Sequence, residues 1–172
     1  MLLLPLLILC VLLVCFQSPG PIFYRAKRVG RGGRVFEMYK FRTMVVNADS
    51  LGASLTAYED SRITRVGRFL RRTKLDEIPQ LFNVIKGDMS IIGPRPEAPV
   101  YVQYYTEDQK RVLQVRPGVS GPAQIANRGE EEKLKGQADP EQHYITELMP
   151  RKLEVDLHYI ETQSVSSDIL WL

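Results

Sequence analysis

Cysteine is scarce in this sequence: Cys10 and Cys15 are the only two, and both fall inside the first apolar run. Their spacing suits neither a disulfide framework nor a zinc ligand set, so they read as small hydrophobes, and nothing in them implies an oxidising compartment. Histidine is equally rare. His143 and His158 stand alone in the polar C-terminal part and read as surface or packing residues. No HExxH motif is present, which sets aside a zinc hydrolase of that type, and neither a Walker A loop nor a GxGxxG fingerprint occurs. No aspartate lies two residues from another, so a D-x-D nucleotide-sugar site is missing as well. Internal repeats and low-complexity tracts are also absent.

The first sixteen residues, MLLLPLLILCVLLVCF, lack charge altogether. As a helix they span about 24 Å, against a hydrocarbon core of roughly 30 Å, and Pro5 interrupts them. A signal peptide would bring a basic n-region and a small-residue cleavage site, and neither is there. The pattern predicts a helix that enters a membrane without crossing it, with a buried core helix as the alternative. Arg25, Lys27, Arg28, Arg31, Arg34, Lys40 and Arg42 follow closely. Such a basic flank is retained on the cytoplasmic side and attracts anionic membrane lipid.

What is present beyond this is an unevenly charged chain of one-domain size. Net charge is only +3, but Lys and Arg crowd residues 25–42 and 62–74 while acids gather at 130–141. A local basic surface of that kind favours phosphate or anionic-lipid partners. Ser18-Pro19-Gly20-Pro21 marks a break. The runs IFYRAKRV and RVFEMYKF flank Gly30-Arg31-Gly32-Gly33 and predict a β-hairpin. Residues 43–59 read as weakly periodic helix. Over 62–72, Ile63, Val66, Phe69 and Leu70 fall on one helical face and Arg62, Arg65, Arg68 and Arg72 on the other. Further helices are expected over 76–86, 98–115 and about 143–163, the last with a break near Pro150. Residues 118–142 read as polar loop.

Pro79 locates the chemistry. In a helix interior its ring would clash with the carbonyl of Leu75, whereas the first turn tolerates it. A helix therefore starts at about Asp76, which puts Asp76 and Glu77 at its N-terminus. There the dipole keeps a carboxylate ionised and free N–H groups attract anions. Two adjacent carboxylates beside a diphosphate call for Mg2+, which takes one or two carboxylates plus phosphate oxygens. The same acids would also suit an ordinary first helical turn. Gly93-Pro94-Arg95-Pro96 holds an arginine between two prolines; Pro96 biases Arg95 to extended backbone, and a guanidinium on so stiff a loop suits phosphate. A rigid structural turn is the plainer reading of that loop.

The run RITRVGRFLRRTKLDEIPQLFNVIKGDMSIIGPRP closely resembles the core of the bacterial sugar transferase family, the monotopic polyprenyl-phosphate phosphoglycosyl transferases. SPGPIFYRAKRVGRGGRVFEMYKFRTM and RPGVSGPAQI resemble it too. The likeness is dense over about residues 1–125 and looser beyond. It implies transfer of a phosphosugar from a UDP-sugar to undecaprenyl phosphate, with release of UMP, through a phosphosugar–aspartate intermediate. Asp76 then matches the nucleophile and Glu77 its Mg2+-binding partner. Arg71 and Arg95 match arginines near the substrate phosphates, and Lys40 and Arg42 lie in the KFRTM block. The fold implied is α+β and mainly helical, with a re-entrant-type membrane helix over 1–17 and a compact cytosolic catalytic domain over 18–172 that carries a small β-hairpin. The location implied is the cytoplasmic face of the bacterial inner membrane. Leu4-Pro5 stands where the family's helix bends at Ser-Pro, so the resemblance implies the exiting half of such a helix, and the chain ends before the family's usual final stretch.

Two other classes compete. A membrane-surface module could use the basic helix 62–72 on anionic lipid, but it needs neither the Asp-Glu pair nor the Gly-Pro-Arg-Pro loop. A nucleic-acid binder could use the same arginines, but it lacks a recognisable motif and leaves the apolar N-terminus unexplained. No nucleic-acid partner is therefore expected. A homo-oligomer is compatible with the sequence, which does not name the sugar.

Overall fold

The computed structural model describes residues 3–48, 60–127, 129, 134 and 136–171. Helix α1 (Leu3–Gln17) leads into an antiparallel hairpin of β1 (Phe23–Val29) and β2 (Val35–Phe41), in which Phe23 pairs with Phe41 and Val29 with Val35. Gly32 and Gly33 take φ of 70° and 76° at its turn, a region that costs glycine nothing. Helix α2 (Arg65–Arg72), a 3₁₀ segment (Leu75–Gln80) and α3 (Leu81–Lys86) follow. Next come β3 (Ser90–Ile92), α4 (Pro99–Val102), a second 3₁₀ segment (Gln109–Gln114), β4 (Gly118–Ser120) and α5 (Pro122–Ala126). The chain closes with α6 (Pro140–His143), a π-type turn (Tyr144–Leu148), α7 (Met149–Thr162) and α8 (Val165–Leu170).

The expected α+β arrangement with a small hairpin is present, and among the described residues its core has three parts. Ala26 and Met38 of the hairpin meet Met89. Tyr101, Tyr105 and Val112 meet Tyr144, Leu148, Met149 and Leu153. Cys10 and Val14 of α1 meet Phe41 and Leu70. This last cluster changes the reading of the N-terminus. Helix α1 is docked on the domain by more than apolar contact: Gln17 Oε1 accepts from the Val66 N–H at 2.7 Å. The Arg42 guanidinium donates to the carbonyls of Ser18 and Pro19 at 2.7 and 3.0 Å, beside the helix end where carbonyls lack partners. Ile8, Leu9, Leu12 and Phe16 stay uncovered. Pro5 falls in the first turn of α1, where its missing N–H breaks nothing.

Among the described residues no helix is long and apolar enough to cross a membrane. The fifteen residues of α1 reach only about 22 Å, and one face is taken up by protein. The re-entrant membrane helix expected over 1–17 is therefore corrected to a helix packed on the domain, and the inner-membrane location read from it falls with it.

Smaller differences have local causes. Helix α2 begins at Arg65, capped by Thr64, whose hydroxyl accepts from the Gly67 N–H. Arg62 lies before it and pairs with Asp60 at 2.6 Å rather than joining a basic face. Of the helix expected over 43–59, residues 43–48 form a bridge, between Met44 and Ile63, and turns; the rest lies outside the described residues, as do Glu130, Glu131 and Glu132. The helix expected over 98–115 divides into α4 and the second 3₁₀ segment. Strands β3 and β4 pair in parallel, Ser90 with Gly118 and Ile92 with Ser120. That contact is close: a Cβ on Gly118 would sit 2.2 Å from the Gly93 nitrogen. It brings the Gly93–Pro96 loop beside α5. In the last helical stretch Pro150 stands in the first turn of α7, after the π-type turn, where its ring and missing N–H favour a wider register.

Candidate active site

The acid pair is positioned by a change of direction between α2 and the 3₁₀ segment. Lys74 sits at φ 59°, in the left-handed region, so the chain turns sharply after Arg71 and Arg72. The expected helix start near Asp76 is present as 3₁₀ rather than α-helix over Leu75–Gln80, with Pro79 inside it. Strand β2 packs against this segment. Asn83, fully buried, fixes that packing: its Oδ1 accepts from the Tyr39 N–H at 3.0 Å and its Nδ2 donates to the Glu37 carbonyl at 2.7 Å. One residue further along β2, Lys40 thereby faces Glu77.

Glu77 is the centre of charge. Its Oε1 accepts from Lys40 Nζ at 3.1 Å and Arg95 Nη2 at 2.7 Å, and its Oε2 from Arg95 Nη1 at 3.3 Å. Burial alone would raise its carboxyl, but the charges and hydrogen bonds of Arg95 and Lys40 prevail and hold it well below the usual carboxylate range. Lys40 responds in the opposite sense. Burial first, then the positive charge of Arg95, bring its ammonium down to about 8 against the pull of Glu77 and Asp76.

Asp76 differs from its neighbour. Only 5% of it is exposed, and its Oδ1 is buried with no hydrogen-bond partner. Burial pushes the carboxyl above its ordinary value, opposed mainly by Lys40, with Glu77 raising it further and Arg71 and Lys74 lowering it. A helix start that keeps this group ionised was the sequence expectation; desolvation outweighs it here. At the end of the same segment, Gln80 is wholly buried with both amide atoms unpartnered. An aspartate oxygen desolvated and unbonded, beside a carboxylate already neutralised by two cations, is arranged to meet an electrophile or a cation rather than to stabilise the fold.

Of the residues singled out from sequence, Lys40, Asp76, Glu77 and Arg95 come together. Arg71 comes near, with Nε on the Thr43 hydroxyl at 3.0 Å and its charge acting on Asp76. Arg42 does not join them; its guanidinium serves the end of α1. One contact was missed. Only one orientation of the Gln124 amide suits its surroundings: the oxygen accepts from Arg95 Nη1 at 3.0 Å and the nitrogen donates to the Val119 carbonyl at 3.1 Å. Gln124 lies in the RPGVSGPAQI block, so the signal was in view, but spacing alone does not join residues 95 and 124.

Among the described residues no group of three or more His, Cys, Asp or Glu gathers as for a metal ion. The pair of hard oxygen donors nonetheless fits Mg2+, which needs few protein ligands when phosphate supplies the others. Asp76 Oδ1 is unpartnered, and Glu77 Oε2 has a single long bond and acceptor capacity to spare.

The family model described as bacterial sugar transferase matches residues 1–172. A Bacillus subtilis protein is 49% identical over 105 residues, covering 61% of this chain and 59% of its own. The UDP-N-acetylgalactosamine-undecaprenyl-phosphate N-acetylgalactosaminephosphotransferase of Aeromonas hydrophila is 39% identical over 169 residues, covering 96% of this chain and 37% of its own. The UDP-glucose:undecaprenyl-phosphate glucose-1-phosphate transferase of Caulobacter vibrioides is 40% identical over 168 residues, covering 96% and 59% respectively. The chain thus spans less than two thirds of the length of these relatives.

Proposed function

The chain belongs to the bacterial sugar transferase family, and from that premise we propose that it transfers a phosphosugar from a UDP-sugar to a polyprenyl phosphate. The observation that carries the reading is the buried, unpartnered Oδ1 of Asp76 beside a glutamate held by Lys40 and Arg95. In the first half-reaction a carboxylate oxygen of Asp76 attacks the sugar-bearing phosphorus. A P–O bond forms, the diphosphate bridge breaks, and UMP departs with the bonding electron pair. In the second, an oxygen of the polyprenyl phosphate attacks the same phosphorus and Asp76 leaves, restored. No proton or electron is left over.

The cations have a definite part. Arg95, Lys40 and Arg71 ring the acid pair and stabilise the negative charge that the transferring phosphoryl group brings. Glu77 is the residue that would hold Mg2+, and the ion when bound supplies positive charge to the diphosphate oxygens. Desolvation makes the Asp76 carboxylate more reactive once ionised, and the charges of Lys40, Arg71 and Lys74 favour that ionised form. Splitting one displacement into two means that the two large substrates need not be bound face to face.

The test is a panel of UDP-sugars, each offered with a polyprenyl phosphate, with UMP release as the readout. At least one sugar should give UMP in step with a polyprenyl-diphosphate-linked product. Hydrolysis alone, or no UMP from any member of the panel, would refute the proposal.

A further inference from the structure

The contacts of Arg95 show which edge of its guanidinium is left for a ligand. Arginine has five N–H donors arranged as two forks, one at the end between Nη1 and Nη2, the other at the side between Nε and Nη2. Glu77 occupies the end fork, taking one hydrogen from Nη1 and one from Nη2 at 3.3 and 2.7 Å. Gln124 takes the remaining Nη1 hydrogen at 3.0 Å. Among the described residues no acceptor is bonded to Nε–H or to the second Nη2 hydrogen, and 27% of the Arg95 side chain remains exposed.

Resting on the proposed function, we propose that Gln124 is a positioning residue that locks Arg95 so that its Nε–H and Nη2–H side fork receives the diphosphate of the nucleotide sugar. The amide is suited to the task because both of its ends are engaged. Its nitrogen is fixed by the Val119 carbonyl on β4 at 3.1 Å, and β4 is paired to β3, from which the Arg95 loop departs. If the amide were reversed, donor would face donor and acceptor would face acceptor, so the oxygen is committed to Arg95. A glutamate alone could hold the end fork while the guanidinium swings in its plane. A third acceptor on the outer Nη1 hydrogen removes that freedom, and a planar fork held still binds phosphate oxygens in pairs.

The experiment follows the Arg95 side-chain Nε–H by NMR in the ¹⁵N-labelled full chain during titration with UDP, alongside steady-state UMP release. In the wild type, UDP should shift Arg95 Nε–H. In Gln124→Ala that shift should shrink, and kcat/KM should fall about tenfold, the size of one hydrogen bond to a charged group, mainly through KM. Gln124→Met, which keeps the length of the side chain, provides the same reading should the alanine variant fold poorly. Adding Arg95→Lys should then erase the effect of the Gln124 change, because a lysine has no fork to orient. A UDP titration that leaves Nε–H unmoved, or Gln124 variants with wild-type KM, would overturn the inference. A wild type whose Nε–H shifts with UDP yet releases no UMP would instead sink the proposed function and leave this contact standing.

Discussion

At the scale of single residues, the site works by setting neighbouring charges against one another. Asp76 and Glu77 are adjacent in sequence yet are driven in opposite directions, one raised by burial and the other depressed by two cations. Lys40 is the titratable member of those cations, and its position near 8 gives a test in an accessible range. A lysine with a lowered value is charged below it and neutral above it. As pH rises through about 8, Glu77 loses one of its two cationic partners, and on the proposed reaction a phosphoryl group would lose a positive neighbour. The profile of kcat/KM should therefore show an alkaline limb with an apparent pKa near 8. Lys40→Arg, whose charge persists to far higher pH, should move that limb upward. A wild-type profile flat from pH 7 to 10 would remove Lys40 from the electrostatics of the reaction. Folding stability follows the same group in the other direction. The unfolded chain holds the Lys40 proton up to its ordinary value, so this group's contribution favours the folded state increasingly as pH rises from about 8 to about 10.5.

At the scale of elements, the site depends on how closely α2 approaches the end of the hairpin. A Cβ on Gly67 would lie 1.9 Å from the Thr43 carbonyl oxygen, a backbone atom that cannot step aside cheaply. Thr43 in turn accepts from Arg71 and from the Thr64 hydroxyl. Gly67→Ala should cost about 3 kcal/mol through overpacking, lower Tm by roughly 10 °C, and reduce activity by displacing Arg71. A Tm within a degree or two of wild type would show that the approach is looser than described. These elements were legible to different degrees. The hairpin showed plainly because aromatic and β-branched runs flank a glycine cluster, and Pro79 fixed the start of the segment bearing Asp76 to within a residue. The pairing of β3 with β4 did not show, because each strand has three residues and no periodicity can develop over so few. Arg42 was misplaced because a KFRTM block says that a charge is present but not which way it points. Helix α1 was misread because an apolar run has the same composition whether lipid or a protein core covers it, and only the partners of Cys10, Val14 and Gln17 distinguish the two.

At the scale of the whole molecule, the C-terminal helices close over the parts that hold Arg95. Asp156 on α7 is 4% exposed, and burial pushes its carboxyl up to about 7, opposed by Lys152 and by the backbone N–H groups of Arg95 and Ala123. Between about pH 4 and pH 7 the folded protein keeps a proton here that the unfolded chain has released. Stability from this group is thus greatest in acid and is lost as pH rises to about 7. Asp156→Asn abolishes the titration, so its stability relative to wild type should climb across that window by up to about 4 kcal/mol, read from denaturant unfolding at a series of pH values. Parallel curves for the two proteins would mean that Asp156 titrates normally. A covalent intermediate on Asp76 would be seen in mass spectra of enzyme incubated with a UDP-sugar alone and rapidly quenched. UMP release, a mass gain of one phosphosugar and an adduct that maps to Asp76 are expected, all without polyprenyl phosphate, and folded Asp76→Asn should carry no adduct. A wild-type protein that turns over with both substrates yet never carries the adduct would contradict it, leaving Asp76 at most a general base in a single displacement.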